Sequence, residues 1–254
     1  MSDIHFVMTG KGGVGKSVVS AWLMQTCQEL ERTVKGVDTD PINKTLASYK
    51  NLDVAKLELI DEGTDEVNKK QFDQIIELIC AEHEKGTSDI VIDNGASSFV
   101  PLASYLLAND AINFLREMGH KITLHCVVAS GQAQLDTLTG LSEITKKFQS
   151  QECDLVVWLN EFDGQIIGND KSFTEMKVFK ENQEKIKAVI TLSQYDSQLH
   201  GGDIRDMLTA KLTFNEAIVS KDYSIMQKQR LKLVKKAVIG SISEALFNTD
   251  AGGN

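Results

Sequence analysis

The sequence has few of the residues that interrupt or cross-link a chain. Only two of its 254 residues are proline, Pro41 and Pro101, so it lacks a proline-rich linker that would separate domains. It also lacks an apolar run near the roughly 18 residues that cross a bilayer. We therefore expect one domain over residues 1–247, followed by a flexible tail at 248–254.

Cysteine and positive charge are also limited. The four cysteines are widely spaced and form no Cys-x-x-Cys pair, a pattern that disfavours a disulfide framework and is typical of thiols in a reducing compartment. The N-terminus is polar and lacks the features of a signal peptide, so we predict a cytoplasmic protein. A net charge of −9 disfavours direct binding to nucleic-acid backbones.

Short apolar runs alternate with segments of helical periodicity along the chain. The pattern predicts strands at 4–9, 33–38, 90–92, 122–129, 155–159 and 188–192, and helices at 17–30, 72–82, 102–108, 132–148, 172–186 and 225–247. This alternation predicts an α/β fold with a mostly parallel central sheet and helices on both faces. Lys35 and Gly36 interrupt the second strand and indicate an edge or partly exposed position for it.

A glycine-rich segment lies between the first predicted strand and the first predicted helix. Residues 10–17 read GKGGVGKS and fit the phosphate-binding pattern G-x-x-x-x-G-K-[ST] in the context that the pattern requires. Backbone N–H groups of such a loop cradle phosphates, while Lys16 adds positive charge and the Ser17 hydroxyl binds Mg²⁺. The predicted ligands are ATP and Mg²⁺, and the predicted nucleotide-binding residues here are Gly10, Lys11, Gly12, Gly13, Val14, Gly15, Lys16, Ser17 and Val18.

Two acidic clusters follow predicted strands. Residues 38–41 read DTDP and residues 93–96 read DNGA, and the carboxyl ends of parallel strands face the same crevice as a phosphate loop. We expect Asp38, Asp40 and Asp93 to converge there around one Mg²⁺ and one attacking water, with Ser17, Asp38 and Asp93 as the metal ligands. Ordinary aspartate-rich turns are the alternative interpretation.

The lysine at position 11 makes this loop resemble the deviant Walker A motif of the ParA/MinD class of dimeric ATPases. The resemblance implies that a homodimer forms on ATP binding, with Lys11 reaching the partner's phosphates. It also implies that Asp40 positions the water, so that Lys11, Lys16 and Asp40 form the catalytic set. The class often has a Ser/Thr-Pro pair after the second acidic strand, whereas this chain has Asn94 and Gly95.

Four further segments resemble a ParA-like family encoded in plasmid conjugal-transfer regions, and that similarity covers nearly the whole chain. The segments lie at 92–102, 158–160, 212–217 and 225–234. The resemblance implies a setting in conjugal DNA transfer and partners among conjugal-transfer proteins.

Asn160 ends a predicted strand and resembles the asparagine that hydrogen-bonds the purine in this class. Its amide offers both a donor and an acceptor to a base edge, but a strand-end cap is the alternative, because asparagine also favours turns. The loop at 200–203 contains Gly201 and Gly202; closure of this loop over the base is one interpretation, but such a glycine pair favours a simple turn.

The last predicted helix carries five basic residues among apolar ones. This composition fits peripheral contact with a membrane surface or a nucleic acid, but it also fits a helix that covers a sheet with its lysines outward. The latter interpretation is favoured. The basic residues are Lys228, Arg230, Lys232, Lys235 and Lys236.

Three functions are compatible with the phosphate loop. The leading hypothesis is a Mg²⁺-dependent ATPase with weak hydrolysis that uses bound nucleotide as a dimerisation switch. A phosphotransferase or amide-forming synthetase acting on a small metabolite is the second, because the same fold hosts such enzymes. A scaffold that binds nucleotide without turnover is the third, and the presence of Asp40 argues against it.

Overall fold

The computed structural model describes residues 2–40, 43–59, 68–148 and 152–247. The strands are β1 (Asp3–Val7), β2 (Val34–Asp38), β3 (Val54–Lys56), β4 (Asp89–Asp93), β5 (Lys121–Ala129), β6 (Asp154–Asn160), β7 (Ile167–Gly168), β8 (Lys171–Ser172) and β9 (Ile186–Leu192). The α-helices are α1 (Lys16–Glu29), α2 (Asp73–Glu84), α3 (Phe99–Ala108), α4 (Ala111–Glu117), α5 (Gln134–Lys147), α6 (Lys177–Lys180), α7 (His200–Thr209), α8 (Phe214–Val219) and α9 (Ile225–Leu246).

Seven strands form one sheet in the order β3-β2-β4-β1-β5-β6-β9, and every neighbouring pair is parallel. Strands β7 and β8 form a separate antiparallel ribbon. The α/β fold predicted from the alternation of strands and helices is therefore confirmed. The predicted tail at 248–254 lies outside the described residues.

Each face of the sheet has its own apolar core. Helices α2, α3, α4 and α5 cover one face, and α1, α7, α8 and α9 cover the other. Successive residues of a strand point to opposite faces, so on β5 the side chain of Cys126 enters the first core and that of Val127 the second. Burial on both faces explains why the strands read as nearly continuous apolar runs.

Strand β2 does not lie at the edge of the sheet, but Val34 and Lys35 are half-buried, so the expected partial exposure is confirmed for its first two residues. Strand β3, which the sequence did not predict, takes the edge, and β2 lies between β3 and β4. A Cβ atom at Gly36 would lie 2.7 Å from Met24 Sδ and 2.9 Å from Val54 Cγ2. Close packing against α1 and β3, not exposure, therefore explains the glycine in this strand.

The helix predicted at 172–186 is also wrong. Ser172 and Glu175 form a capping box that opens a single 3₁₀ turn, and Met176 then adopts an extended conformation, with φ −69° and ψ 151°. Phe173 and Met176 are both buried in the core between the sheet and α2–α5, so tertiary packing overrides the local helical preference. Only the four residues of α6 are α-helical here.

The turn predicted at Gly201 and Gly202 is replaced by the first turn of α7. A Cβ at Gly201 would lie 3.0 Å from the carbonyl oxygen of Asp196, so the glycine permits the helix to begin directly against the preceding loop. Helices α4 and α8 were not predicted. Thr213 and Glu216 form a capping box at the start of α8, a signal that the sequence does contain.

Helix α9 buries one stripe of apolar side chains, as expected for a helix that covers a sheet. In the described part of the chain, no helix combines the length and apolar content that a bilayer crossing requires. Ile225, Met226 and Leu233 of α9 remain exposed. The buried stripe consists of Leu231, Val234, Val238, Ile242 and Leu246.

The packing at Gly36 gives a stability prediction. Gly36→Ala should lower the free energy of unfolding by about 1 to 3 kcal/mol, because the added methyl overlaps Met24 and Val54. Urea denaturation measures this change. Gly240→Ala is the control, since a Cβ there meets no atom within 4 Å and alanine favours a helix interior. Equal stability of Gly36→Ala and the parent would contradict the packing explanation.

Candidate functional site

The glycine-rich loop connects β1 to α1 and has left-handed backbone at two glycines. Gly13 has φ +74° and Gly15 has φ +98°, values that side chains with a Cβ rarely adopt. A Cβ at Gly15 would also lie 2.9 Å from Asn160 Nδ2. The loop thus ends directly at the N-terminus of α1, where N–H groups lack intrahelical partners and favour an anion.

Lys16 is the first residue of α1, and its side chain folds back across the loop. Its Nζ donates a hydrogen bond of 2.8 Å to the carbonyl oxygen of Lys11. Burial lowers the pKa of Lys16, while the nearby Asp93 and Asp40 carboxylates act in the opposite direction. The ammonium group is therefore held over the loop, close to two acidic groups.

Asp93 ends β4 at the centre of the sheet and is 2% exposed. Its carboxylate accepts a hydrogen bond of 3.0 Å from the Ser20 hydroxyl, and the Ser17 side chain also acts to lower its pKa. Burial raises the pKa of Asp93 to about 7. A nearby cation would stabilise the ionised form of this buried carboxylate.

Lys16, Ser17, Asp40 and Asp93 all line one cleft of about 570 Å³, which we call the phosphate-side cleft. A hydroxyl and a carboxylate are oxygen ligands of the type that Mg²⁺ takes, usually together with waters and phosphate oxygens. Within the described ranges, no group of three or more His, Cys, Asp or Glu side chains is arranged to hold a metal. Ser17 and Asp93 therefore fit a Mg²⁺ that phosphate also coordinates. The other lining residues are Gly12, Gly13, Gly15, Val18, Asn43, Thr45, Asn94, Ala96 and Ser97.

Asp38 is placed differently from the other two aspartates. It is buried and does not line the phosphate-side cleft. One of its carboxylate oxygens accepts the backbone N–H of Asp40 at 3.1 Å, and the other accepts that of Ala47 at 3.0 Å. Burial raises the pKa of Asp38. In this structure its carboxylate shapes the loop that carries Asp40.

The two acidic segments are directly connected. Thr39 donates to the carbonyl oxygen of Asp93 through both its backbone N–H, at 3.0 Å, and its hydroxyl, at 3.1 Å. A Cβ at Gly95 would lie 2.9 Å from the Cα of Asp40. Glycine at position 95 therefore allows the second segment to pack against Asp40, where the related class often has a Ser/Thr-Pro pair.

Asn160 lies at the end of β6 and links the strand to the phosphate loop. Its Nδ2 donates to the carbonyl oxygen of Val14 at 3.0 Å, and its Oδ1 accepts the backbone N–H of Phe162 at 3.2 Å. The side-chain amide of Asn160 thus holds the backbone at Val14 and at Phe162 in place. Asn160 also lines a second cavity of about 250 Å³ beside the loop, together with Phe162, Asp163 and Tyr195. The sequence pattern did not indicate these three residues as part of a site, although each follows the end of a strand.

Gly10, Lys11 and Val14 do not line the phosphate-side cleft. A Cβ at Gly10 would meet the ring of Phe99 at 3.0 Å, and Val14 is buried. Lys11 Nζ lies 2.8 Å from Asp136 Oδ2 in the first turn of α5, and both side chains are about half exposed. The Lys11 side chain therefore contacts α5 and does not line the cleft that contains Lys16, Asp40 and Asp93.

Comparison with known proteins agrees with this geometry. Residues 5–242 match the family model described as the CobQ/CobB/MinD/ParA nucleotide binding domain. A curated protein from Escherichia coli, Protein TraL, is 40% identical over 245 residues, which cover 96% of this chain and 99% of that protein.

Two solved structures share the fold. A ParA family ATPase from Chlorobium tepidum TLS is 14% identical, with a TM-score of 0.50 over 92% of this chain and 97% of that one. The septum site-determining protein MinD from Pyrococcus horikoshii OT3, complexed with Mg-ADP, is 15% identical, with a TM-score of 0.52 over 94% and 96% of the two chains. The family model and the TraL relative each cover most of the sequence. The chain therefore belongs to the CobQ/CobB/MinD/ParA nucleotide-binding family, in which it is similar to TraL over nearly its whole length.

Proposed function

We propose that this chain is a Mg²⁺-dependent ATPase that hydrolyses ATP slowly and uses the bound nucleotide as a switch for dimerisation and partner recruitment. In this proposal, residues 1–247 act as one P-loop NTPase domain. The observation that carries it is the convergence of Lys16, Ser17, Asp40 and Asp93 on the phosphate-side cleft.

Binding relies on the phosphate loop. Backbone N–H groups at Gly13, Gly15 and the start of α1 surround the β- and γ-phosphates, and Lys16 exchanges its bond to the Lys11 carbonyl for a charge-assisted bond to phosphate. Ser17 and Asp93 hold Mg²⁺, which supplies positive charge against the phosphate oxygens. MinD from P. horikoshii, which shares the fold, is complexed with Mg-ADP, and this supports the choice of metal and nucleotide class.

Hydrolysis relies on Asp40, whose carboxylate positions the attacking water. The backbone of Asp40 is held by Asp38 at 3.1 Å, and Gly95 packs against its Cα. Thr39 also donates a hydrogen bond to the carbonyl oxygen of Asp93. Because this bond joins the segments that carry Asp40 and Asp93, a change in contacts at the γ-phosphate alters the positions of both. Loss of that phosphate would release them, as in other phosphate-dependent switches.

Dimerisation relies on Lys11. Its ion pair with Asp136 is half exposed, and such pairs contribute little stability. Lys11 can therefore leave Asp136 at little cost and contact the nucleotide phosphates of a partner subunit instead. We place the nucleotide between two copies of the chain, each contributing one Lys11.

The biological setting is conjugal DNA transfer in the cytoplasm, and conjugal-transfer proteins are the partners. The similarity to TraL supports the setting, and four free cysteines are typical of a reducing compartment. The acidic charge of the chain disfavours direct contact with DNA.

The exposed side of α9 is a candidate surface for peripheral contact with a membrane. Ile225, Met226 and Leu233 are exposed, and the neighbouring Lys232 and Lys236 are exposed as well. Exposed apolar side chains flanked by lysine suit the boundary of an anionic lipid layer.

The phosphotransferase or synthetase alternative needs a pocket for an additional substrate facing the γ-phosphate. Lys16 is the sole Lys or Arg among the described residues lining the phosphate-side cleft. This scarcity of cationic groups disfavours a second anionic substrate. The scaffold alternative predicts no turnover at all.

The test of the proposal is the rate of ATP turnover in Asp40→Ala. The variant should bind ATP·Mg²⁺ with nearly the parent affinity and hydrolyse it at least roughly tenfold more slowly, because a water-positioning carboxylate acts mainly in the transition state. A phosphate-release assay measures the rate, and titration calorimetry measures binding. Asp206→Ala removes an exposed carboxylate on α7 and is the matched control.

If Asp40→Ala hydrolyses ATP at the parent rate and Asp93→Ala does not hydrolyse it, Asp40 is not the residue that positions the water. Turnover that depends on an added metabolite would favour the transferase. Absence of turnover in the parent, with and without candidate partners, would favour the scaffold.

A further inference from the structure

Ser20 is a buried residue of α1, one helical turn after Lys16. It is 0% exposed, and it does not line the phosphate-side cleft. The phosphate-binding motif ends at Ser17 and does not include it. Because Ser20 does not reach the cleft, any effect that it has on a bound nucleotide must act through another residue.

The Ser20 hydroxyl has two acceptors within hydrogen-bond distance. It lies 3.1 Å from the carbonyl oxygen of Lys16 and 3.0 Å from Asp93 Oδ1. The first contact is common for a serine inside a helix, whose hydroxyl bonds the carbonyl four residues earlier. The second contact joins α1 to the end of β4, and a hydrogen bond to a carboxylate is about twice as strong as one between neutral groups. A role confined to the helix explains the first contact but not the second.

The contact with Ser20 bears on how the Asp93 carboxylate is turned. The last torsion of an aspartate side chain is broad, so without a partner its two oxygens take a wide range of directions. Asp93 lines the phosphate-side cleft, whereas the hydroxyl that engages its Oδ1 belongs to a residue outside the cleft. Oδ2 is therefore the oxygen that this contact leaves for a ligand in the cleft.

We propose that Ser20 is a positioning residue for the Mg²⁺ site, and that its hydroxyl holds Asp93 Oδ1 so that Oδ2 is available to the metal. This inference rests on the proposed function, in which Ser17 and Asp93 hold Mg²⁺. Hydrogen bonds to a metal-ligating carboxylate orient it, and their removal typically costs about 10- to 100-fold in metal affinity. Ser20 itself contacts neither the nucleotide nor the metal.

The test measures how much Mg²⁺ tightens the binding of ADP. Titration calorimetry of the full chain with ADP, once in Mg²⁺ and once in EDTA, gives two Kd values, and their ratio reports on the metal site without any turnover. In Ser20→Ala this ratio should fall about 10- to 100-fold, while the Kd for ADP in EDTA stays at the parent value. Ser20→Thr keeps the hydroxyl and should retain the parent ratio.

Thr26→Val is the matched control on the same helix. Thr26 is also 0% exposed, and its hydroxyl donates to the carbonyl oxygen of Trp22 at 2.8 Å, a contact that involves no acidic group. Its loss should leave the ratio at the parent value. In the Asp93→Asn background, the added Ser20→Ala change should have no further effect, because the two residues act as a unit.

Three results would overturn the proposal. The first is a parent ratio in Ser20→Ala, or an additional fall when Ser20→Ala is added to Asp93→Asn. The second is an equal fall in Ser20→Thr and Ser20→Ala, which would mean that the hydroxyl is not the group that acts. The third is weaker binding of ADP in EDTA by Ser20→Ala, which would assign the hydroxyl to support of the phosphate loop through Lys16. Failure of the proposed function is distinct, because the parent chain itself would then bind no ADP or bind it equally with and without Mg²⁺.

Discussion

Replacing Lys16 with alanine should weaken the binding of ATP·Mg²⁺ by about 10- to 150-fold. The ammonium group lies over the phosphate loop, and a charge-assisted contact of this type contributes about 1.5 to 3 kcal/mol. Its present bond to the Lys11 carbonyl, 2.8 Å long, shows that the side chain reaches across the loop in the direction required. Titration calorimetry measures the change directly.

The control for this experiment is Lys221→Ala, which removes an exposed lysine outside the cleft. Its affinity for ATP should match that of the parent, because surface substitutions of this kind are usually near neutral. If Lys16→Ala binds ATP as tightly as the parent, the loop is not the phosphate site, and the proposed function fails with it.

Replacing Lys11 with alanine should abolish dimerisation on ATP and leave ATP binding in place. In the Asp40→Ala background, which blocks hydrolysis, light scattering should show a dimer with ATP and a monomer with ADP. The added Lys11→Ala change should return the ATP form to monomer, because a desolvated contact between lysine and the partner's phosphates is lost. Lys11 lies outside the phosphate-side cleft, so its removal leaves the binding groups of its own subunit intact.

Asp136→Asn is the matched variant for this experiment. It breaks the 2.8 Å ion pair of Lys11 but keeps the lysine, so the ATP-dependent dimer should persist in the Asp40→Ala background. A solvent-facing Lys11 predicts a different result, in which Lys11→Ala leaves the mass unchanged with both nucleotides. That result would remove the two-subunit mechanism and leave a monomeric P-loop ATPase.

The sequence by itself determined the phosphate loop and the general architecture. A cradle of backbone N–H groups is formed by consecutive residues, so Gly13, Gly15 and Lys16 can be identified from their order alone. Alternating strands and helices likewise follow from local periodicity. The position of Asp93 at the end of a buried strand is local information too, and Asp93 and Ser17 line the same cleft.

The tertiary structure decided which groups face each other, because that depends on the order of strands in the sheet. Asp38 and Asp40 are two residues apart, yet one supports backbone and the other lines the cleft. Gly36 reflects packing against Met24 of α1 and Val54 of the paired strand β3. The contact of Lys11 with Asp136 and that of Ser20 with Asp93 join segments far apart in the chain, and periodicity carries no signal for contacts of that range.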